Sequence, residues 1–305
     1  MKTAIQKPSS NHTGRNAAVT MIELMVSVTL ISFIILSLYQ MFARTQEQMR
    51  RAMRQVDTLE SGRAIMNVIQ RDLSLMTYPD QTAINPGFMW STNWTTNIAG
   101  YKTIRITSPV DNSIDMATEF DRFFFNTFDS TMTLTNYGGV GYHVGSSTNK
   151  FVPPADGIGT LYRYSFYDYA YNQNVWRIFN QGTNHTDYER ISSRLIDNVV
   201  HFRVNPYPTN SAGINNWSAT DRGRWNNVNF NSDPQGNIVW SFVGQTLPQL
   251  VEIEIGYVDE ETAGEARALL PEGTTDTTPA RNFIASRPEK INLFRFVVPI
   301  RVASQ

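Results

Sequence analysis

Residues 18 to 42 read AVTMIELMVSVTLISFIILSLYQMF. From Leu24 to Phe42 there is no formal charge, no proline and no glycine. At about 1.5 Å per residue, this run as a helix nearly crosses the ~30 Å hydrocarbon core of a bilayer. It exceeds the apolar core of an ordinary secretory signal, about 7 to 15 residues. No small-residue cleavage site follows, because Ala43 is succeeded by Arg44, Thr45 and Gln46. The run is therefore expected to stay in the mature chain as an anchor. Lys2, Lys7 and Arg15 precede it without any acid, which favours a cytoplasmic N-terminus. Arg44, Arg50, Arg51 and Arg54 follow it, diluted by Glu47 and Asp57; the acid-free leader is given the greater weight.

Glu23 is the exception within this run. An ionised side chain inside a membrane helix costs roughly 2.5 to 3.5 kcal/mol on insertion scales, so such a residue is usually paired. Two readings are open from position alone: solvation at the membrane surface, or a partner within the membrane.

Beyond Phe42 the helical pattern continues. Met49, Met53, Val56, Leu59, Met66, Ile69, Leu73 and Met76 recur at steps of three, four or seven. No proline occurs between Met21 and Tyr78, and Pro79 closes the run. A helix from about Met21 to Met76 would measure roughly 84 Å. Gly62 is its weak point, costing about 1 kcal/mol against alanine. The methionines of this stripe read as adaptable packing residues, not as a metal or redox stripe. The spacing is too irregular for a sustained coiled coil.

From about residue 80 the pattern changes to short β-rich runs between Asn, Gly, Ser, Thr and Pro. Candidate strands are Tyr101 to Thr107, Thr160 to Ala170, Asn174 to Phe179 and Val200 to Val204. Val251, Ile253, Ile255 and Tyr257 alternate with Glu252, Glu254 and Gly256. Phe294 to Val302 alternates in the same way. One-sided alternation predicts a sheet with one covered face, and the amphipathic half of the long helix is the natural cover. Pro206 to Gly236 reads as a polar insertion; Glu260 to Leu270 reads as a short helix, followed by a loop to about Ala280.

Composition restricts the chemistry. The net charge of −1 gives no basic signal for nucleic acid, and the chain has no cysteine. His12, His143, His185 and His201 lack ligand-like spacing. No nucleophile elbow, phosphate loop or dinucleotide fingerprint occurs. Asp111 to Asp115 reads as a capped turn rather than a calcium loop, since the EF-hand glycine and terminal glutamate are missing. Glu252 and Glu254 read as a solvated outer face. The Tyr162 to Tyr171 aromatics read as strand residues, with a sugar platform as the alternative. No catalytic residue, metal site or cofactor is expected.

The segment Ala18-Val19-Thr20-Met21-Ile22-Glu23-Leu24 resembles the processing site of type IV prepilins and pseudopilins. That family has a small residue, a cut, then phenylalanine-threonine-leucine-isoleucine-glutamate and an apolar helix. Thr20, Ile22 and Glu23 match directly; Ala18 takes the small position, Met21 replaces leucine and Val19 replaces phenylalanine. The resemblance implies cleavage by prepilin peptidase between Ala18 and Val19, and N-methylation of Val19. It implies that Glu23 pairs with the new α-amino group of a neighbouring subunit.

A second resemblance covers the C-terminal part. Leu195-Ile196-Asp197-Asn198-Val199-Val200-His201-Phe202-Arg203-Val204, then Leu247-Pro248-Gln249-Leu250-Val251, then the terminal strand, look like the J-type minor pseudopilin of type II secretion and the W-type minor pilins. Together these imply an α+β, pilin-like fold: a long N-terminal helix, half transmembrane and half amphipathic, packed on a C-terminal antiparallel β-sheet domain. The expected divisions are a leader at 1–18, a membrane and filament-core helix at 19–42, an amphipathic helix at 43–78 and an exported β-rich domain at 79–305. The implied role is a minor pseudopilin near the tip of a periplasmic filament that supports secretion. Its partners would be prepilin peptidase, other pseudopilins or minor pilins, and the bacterial inner membrane. The alternatives are a minor pilin of a type IV pilus or DNA-uptake machine, and an anchored glycan- or substrate-binding protein. Mass spectrometry of the mature protein should find an N-methylated Val19 as its first residue; an intact leader in the assembled protein contradicts the reading.

Overall fold

The computed structural model describes residues 20–77, 88–91, 105–107, 115–117, 120–129, 136–146, 150, 154–168, 192–207, 228–232, 238–242, 247–270 and 277–300. The chain divides into two units, Met1–Val56 and Asp57–Gln305. The long helix α1 (Met21–Ser74) begins in the first and ends in the second.

In the first unit the apolar side chains of α1 are exposed, from Met21 through Phe42 and on to Met49, Met53 and Val56. Its hydroxyl side chains turn back onto their own helix. Ser27 Oγ donates to the Glu23 carbonyl at 2.7 Å, Ser32 Oγ to Val28 at 2.8 Å and Thr45 Oγ1 to Met41 at 2.9 Å. Polar groups in the apolar run are thereby satisfied without water. By length and composition α1 can cross a membrane.

In the second unit α1 becomes a core element. Leu59 is still exposed, whereas Gly62, Ile65, Ile69 and Leu73 are buried, and Met76 follows just past the helix end. Burying each of the large aliphatic residues contributes about 1.5 to 3 kcal/mol. Among the described residues, the sheet they join has nine strands: β1 (Phe88–Ser91), β4 (Arg122–Asp129), β5 (Asn136–Gly145), β6 (Gly159–Asp168), β7 (Ser192–Tyr207), β8 (Val228–Ser232), β9 (Ile238–Phe242), β10 (Leu250–Tyr257) and β11 (Asn292–Pro299). Their order is β11-β10-β7-β6-β5-β4-β1-β9-β8. Every neighbouring pair is antiparallel. A separate pair joins β2 (Arg105–Thr107) to β3 (Asp115–Ala117). The architecture is α+β, with a long N-terminal helix and a C-terminal antiparallel sheet.

The inner face carries Phe123, Phe125, Tyr142, Phe202, Val251, Ile253 and Ile255 into one core with Ile65, Ile69 and Leu73. Phe123 is its centre, with Tyr142 stacked at 5.0 Å and Phe88, Phe125 and Phe202 at 5.9 to 6.1 Å. The expectation of one covered face is corrected. Helices α2 (Glu260–Ala268) and α3 (Thr278–Ala285) bury Ala263, Ala266, Ala280 and Ile284 with Val200, Val258 and Ile291 in a second core. The switch between the cores is a bulge in β7. Asn198 adopts φ 57°, and the register steps so that Tyr257 faces Val199 while Gly256 faces His201. Val200 is the extra residue. Val199 enters the first core and Val200 the second.

Two other expectations change. The polar insertion at 206–236 contains β8, and the loop expected to run to Ala280 ends at Thr278, where α3 starts with Pro279 in its first turn. The strand expected at 174–179 lies outside the described residues.

Gly62 also takes a different meaning. A Cβ there would meet the Phe294 ring at 2.6 to 2.9 Å. Phe294 in turn stacks on Tyr257 at 5.6 Å and 7°. The glycine is the notch that lets β11 approach the helix. At an open helical site alanine would stabilise by about 1 kcal/mol. Here the overpacking, about 1 to 3 kcal/mol, outweighs that gain. Gly62→Ala is expected to lower the urea midpoint; an increase would contradict the notch.

Candidate functional site

The motif around Glu23 sits at the first turn of α1. The Thr20 backbone N–H donates to Glu23 Oε2 at 3.0 Å, and the Thr20 hydroxyl donates to the same oxygen at 3.1 Å. The Glu23 N–H returns a bond to Thr20 Oγ1 at 3.4 Å. This is a reciprocal capping box, built by Thr20-Met21-Ile22-Glu23. It satisfies donors that the helix leaves without internal partners. The negative carboxylate also lies at the positive end of the helix dipole. The threonine and glutamate at that spacing are a readable capping signature, which the sequence reading passed over in favour of the processing motif.

Met21 and Ile22 stand exposed beside the box, at 83% and 71% of their full accessibility. They leave an apolar rim around a carboxylate that already accepts two bonds. A carboxylate offers about four lone-pair sites, so further donors can join without breaking the cap. Ala18 and Val19 lie outside the described residues.

In the second unit, α1 is fastened to the sheet by a polar clasp. Asp72 on the last turn is 2% exposed. Its Oδ2 accepts from the Tyr142 hydroxyl of β5 at 2.5 Å and from Arg163 Nε of β6 at 2.5 Å. Burial, then the Asp72 charge, pushes the Tyr142 hydroxyl well above the ordinary tyrosine range. The phenol therefore stays a donor. Sequence reasoning missed this triad, because its members are 70 and 91 residues apart in the chain.

Glu252 and Glu254 do not form a solvated face, and that expectation is corrected. Glu252 is 4% exposed. It accepts from the Tyr207 hydroxyl at 2.6 Å and pairs with Arg295. Burial first, and then Glu252, pushes Tyr207 up to about 12. Glu254 faces His201 Nε2 at 3.5 Å, Arg295 at 3.4 Å and Arg203 at 3.9 Å. The His201 hydrogen bond holds its carboxyl below the usual range. Cross-strand cations thus compensate both acids, on a face whose polar letters imply water.

Among the described residues, His143 and His201 sit in separate networks. His143 is buried, and burial lowers it to about 3. Its Nε2 lies 3.1 Å from the Lys150 carbonyl, so Nε2 carries the proton and donates. His201 belongs to the β7–β10 network, while His12 and His185 lie outside the described residues. Among the described residues, no group of three or more His, Asp or Glu side chains is placed to hold a metal ion. The calcium-loop candidate lies mostly outside the described residues; Asp115, its last position, begins β3.

No known family profile, no curated protein and no solved structure matches this chain.

The clasp makes a definite energetic claim. Removing one partner of a buried charge pair costs about 3 to 5 kcal/mol, because the other is left uncompensated. Asp72→Ala is expected at the lower end, since Arg163 retains 21% exposure. Chemical denaturation followed by tryptophan fluorescence measures it; a loss below about 1 kcal/mol, the scale of an exposed pair, contradicts the clasp.

Proposed function

We propose that this chain is a minor pilin or pseudopilin subunit, anchored by α1 and assembled through its N-terminal segment into a filament tip. The observation that carries the reading is the segment from Ala18 to Glu23, set between a basic leader and the uncharged run that begins at Leu24. The capping box adds chemical support. Thr20 and Glu23 both lie after the proposed cut, so cleavage leaves the box intact. It also creates an α-amino group at Val19, one residue before the cap. A neighbour's amino group, brought to Glu23 Oε2, meets an acceptor already held in place by Thr20.

The energetics favour pairing over isolation. A membrane-level carboxylate and an ammonium each carry a desolvation penalty, and each lowers the other's. Cleavage thus changes the partner available to Glu23 without changing Glu23 itself. The covered end of α1, from Gly62 onward, supports the same reading. Its last turns belong to the core of the exported domain, as a filament subunit requires and a tethered enzyme does not. The J-type pseudopilin of a secretion system is the specific assignment, resting on the C-terminal likeness quoted above.

Glu23→Ala is expected to insert and be cleaved normally. Its incorporation into the filament should fall by about tenfold, the loss corresponding to about 1.4 kcal/mol. Cross-linking to neighbouring subunits, scored against total mature protein, measures this. Normal incorporation of the variant would overturn the role of Glu23.

A further inference from the structure

The end of the apolar run is marked by an uneven distribution of charge. Between Leu24 and Ala43 there is no charged residue. Arg44, Arg50, Arg51 and Arg54 then follow within three helical turns, against Glu47 alone. If the leader is removed at Ala18, Lys2, Lys7 and Arg15 leave with it. These arginines are then the basic cluster nearest the membrane.

The helix surface at this boundary is shaped as well as charged. Ser37, Gln40, Met41, Arg44, Thr45 and Gln48 line a groove along one side of α1. The spacing of three, four and seven places them on one face. The groove begins before Phe42 and ends after it, so it straddles the level where hydrocarbon gives way to headgroups. Ser37, Gln40, Arg44 and Gln48 supply hydroxyl, amide and guanidinium donors. Thr45 has committed its proton to the Met41 carbonyl and offers an acceptor. Met41 is exposed, giving an apolar floor beside the polar groups. Arg44, Arg50 and Arg54 are exposed too.

We propose that this groove binds the headgroup of an anionic phospholipid, with Arg44 on the phosphodiester and Arg50 and Arg54 supplying the field that selects a net negative charge. The proposal rests on the reading of α1 as a membrane anchor. A guanidinium pairs a phosphate through two parallel N–H bonds, and Gln40 and Gln48 lie one turn below and above it. Arg50 and Arg54 lie about 9 and 15 Å farther along the axis, one to two Debye lengths from Arg44, and add a screened attraction, which a zwitterionic headgroup partly cancels with its own cation. The exposed Met49, Met53 and Val56 continue along α1 beyond the groove, on a face that adjoins Arg50 and Arg54. The lipid would fix the depth at which α1 sits, and it would have to be released when the subunit leaves the bilayer.

The test uses the full chain in bilayers of phosphatidylcholine with one-fifth phosphatidylglycerol, by electron spin resonance of spin-labelled lipids. The wild type is expected to prefer labelled phosphatidylglycerol over labelled phosphatidylcholine, with the preference shrinking as salt rises. Arg44→Gln is expected to weaken the phosphatidylglycerol association by about fivefold, the scale of one basic residue at an anionic surface. The combined Arg44→Lys, Arg50→Lys, Arg54→Lys variant should keep most of the preference, and the corresponding triple Gln variant should lose it. An equal preference in wild type and triple Gln variant would overturn the proposal, as would equal loss in the Lys variant. Alkaline carbonate separates the two readings. A wild type that resists extraction but shows no lipid preference overturns this proposal alone, whereas one that is extracted overturns the membrane anchor with it.

Discussion

The second unit depends on one constraint: the apolar stripe at the end of α1 has to be covered. Ile65, Ile69 and Leu73 are each at most 5% exposed, and the inner face of the sheet does the covering. The other arrangements serve this contact. Gly62 removes the side chain that would hold Phe294 away. Asp72 finds its donors on β5 and β6, so the helix end can be buried without stranding a charge. The aromatic centre at Phe123 fills the remaining depth with rings that stack rather than with small residues that would leave voids.

The same helix obeys a different rule in the first unit. There no core asks for the apolar side chains, and they stay exposed from Met21 to Val56. What the segment needs is internal satisfaction of its polar groups. The capping box supplies this at Thr20 and Glu23, and the serine and threonine hydroxyls supply it along the run. The proposed processing, assembly and lipid contacts all belong to this unit. They use the groups that a lipid environment makes costly: one carboxylate at the start of the run and the arginines past its end.

Much of α1 was legible because its signals are local. The charge-free run, the three-four-seven spacing and the closing Pro79 place a helix close to its observed bounds, Met21–Ser74. The strands β10 and β11 were legible for a similar reason, since alternation is a local period. Other strands escaped. β5 reads NYGGVGYHVG, where four glycines weaken the β signal although β4 pairs with Asn136 to Tyr142 and β6 with Tyr137 to Gly145. β4 carries Phe123, Phe124 and Phe125 in a row, so it shows no alternation; all three are fully buried because both faces of the sheet are covered there. Helix α3 was hidden inside a Thr- and Pro-rich stretch, and it owes its place to Ala280 and Ile284 in the second core.

By itself the sequence determined the long helix, the uncharged run at its start, the α+β class and the singular position of Glu23; the structure covers the amphipathic stripe only from Gly62 onward, and Met49, Met53, Val56 and Leu59 stay exposed. Each follows from neighbours within a few turns, where helix and strand periods and charge spacing act. Tertiary structure alone decided the strand order, the second core, the burial of Glu252 and the clasp of Asp72 with Tyr142 and Arg163. Those depend on which distant residue the pleat brings opposite. A glutamate on a strand is solvated or buried according to whether a tyrosine and an arginine arrive beside it, and no local pattern encodes that arrival.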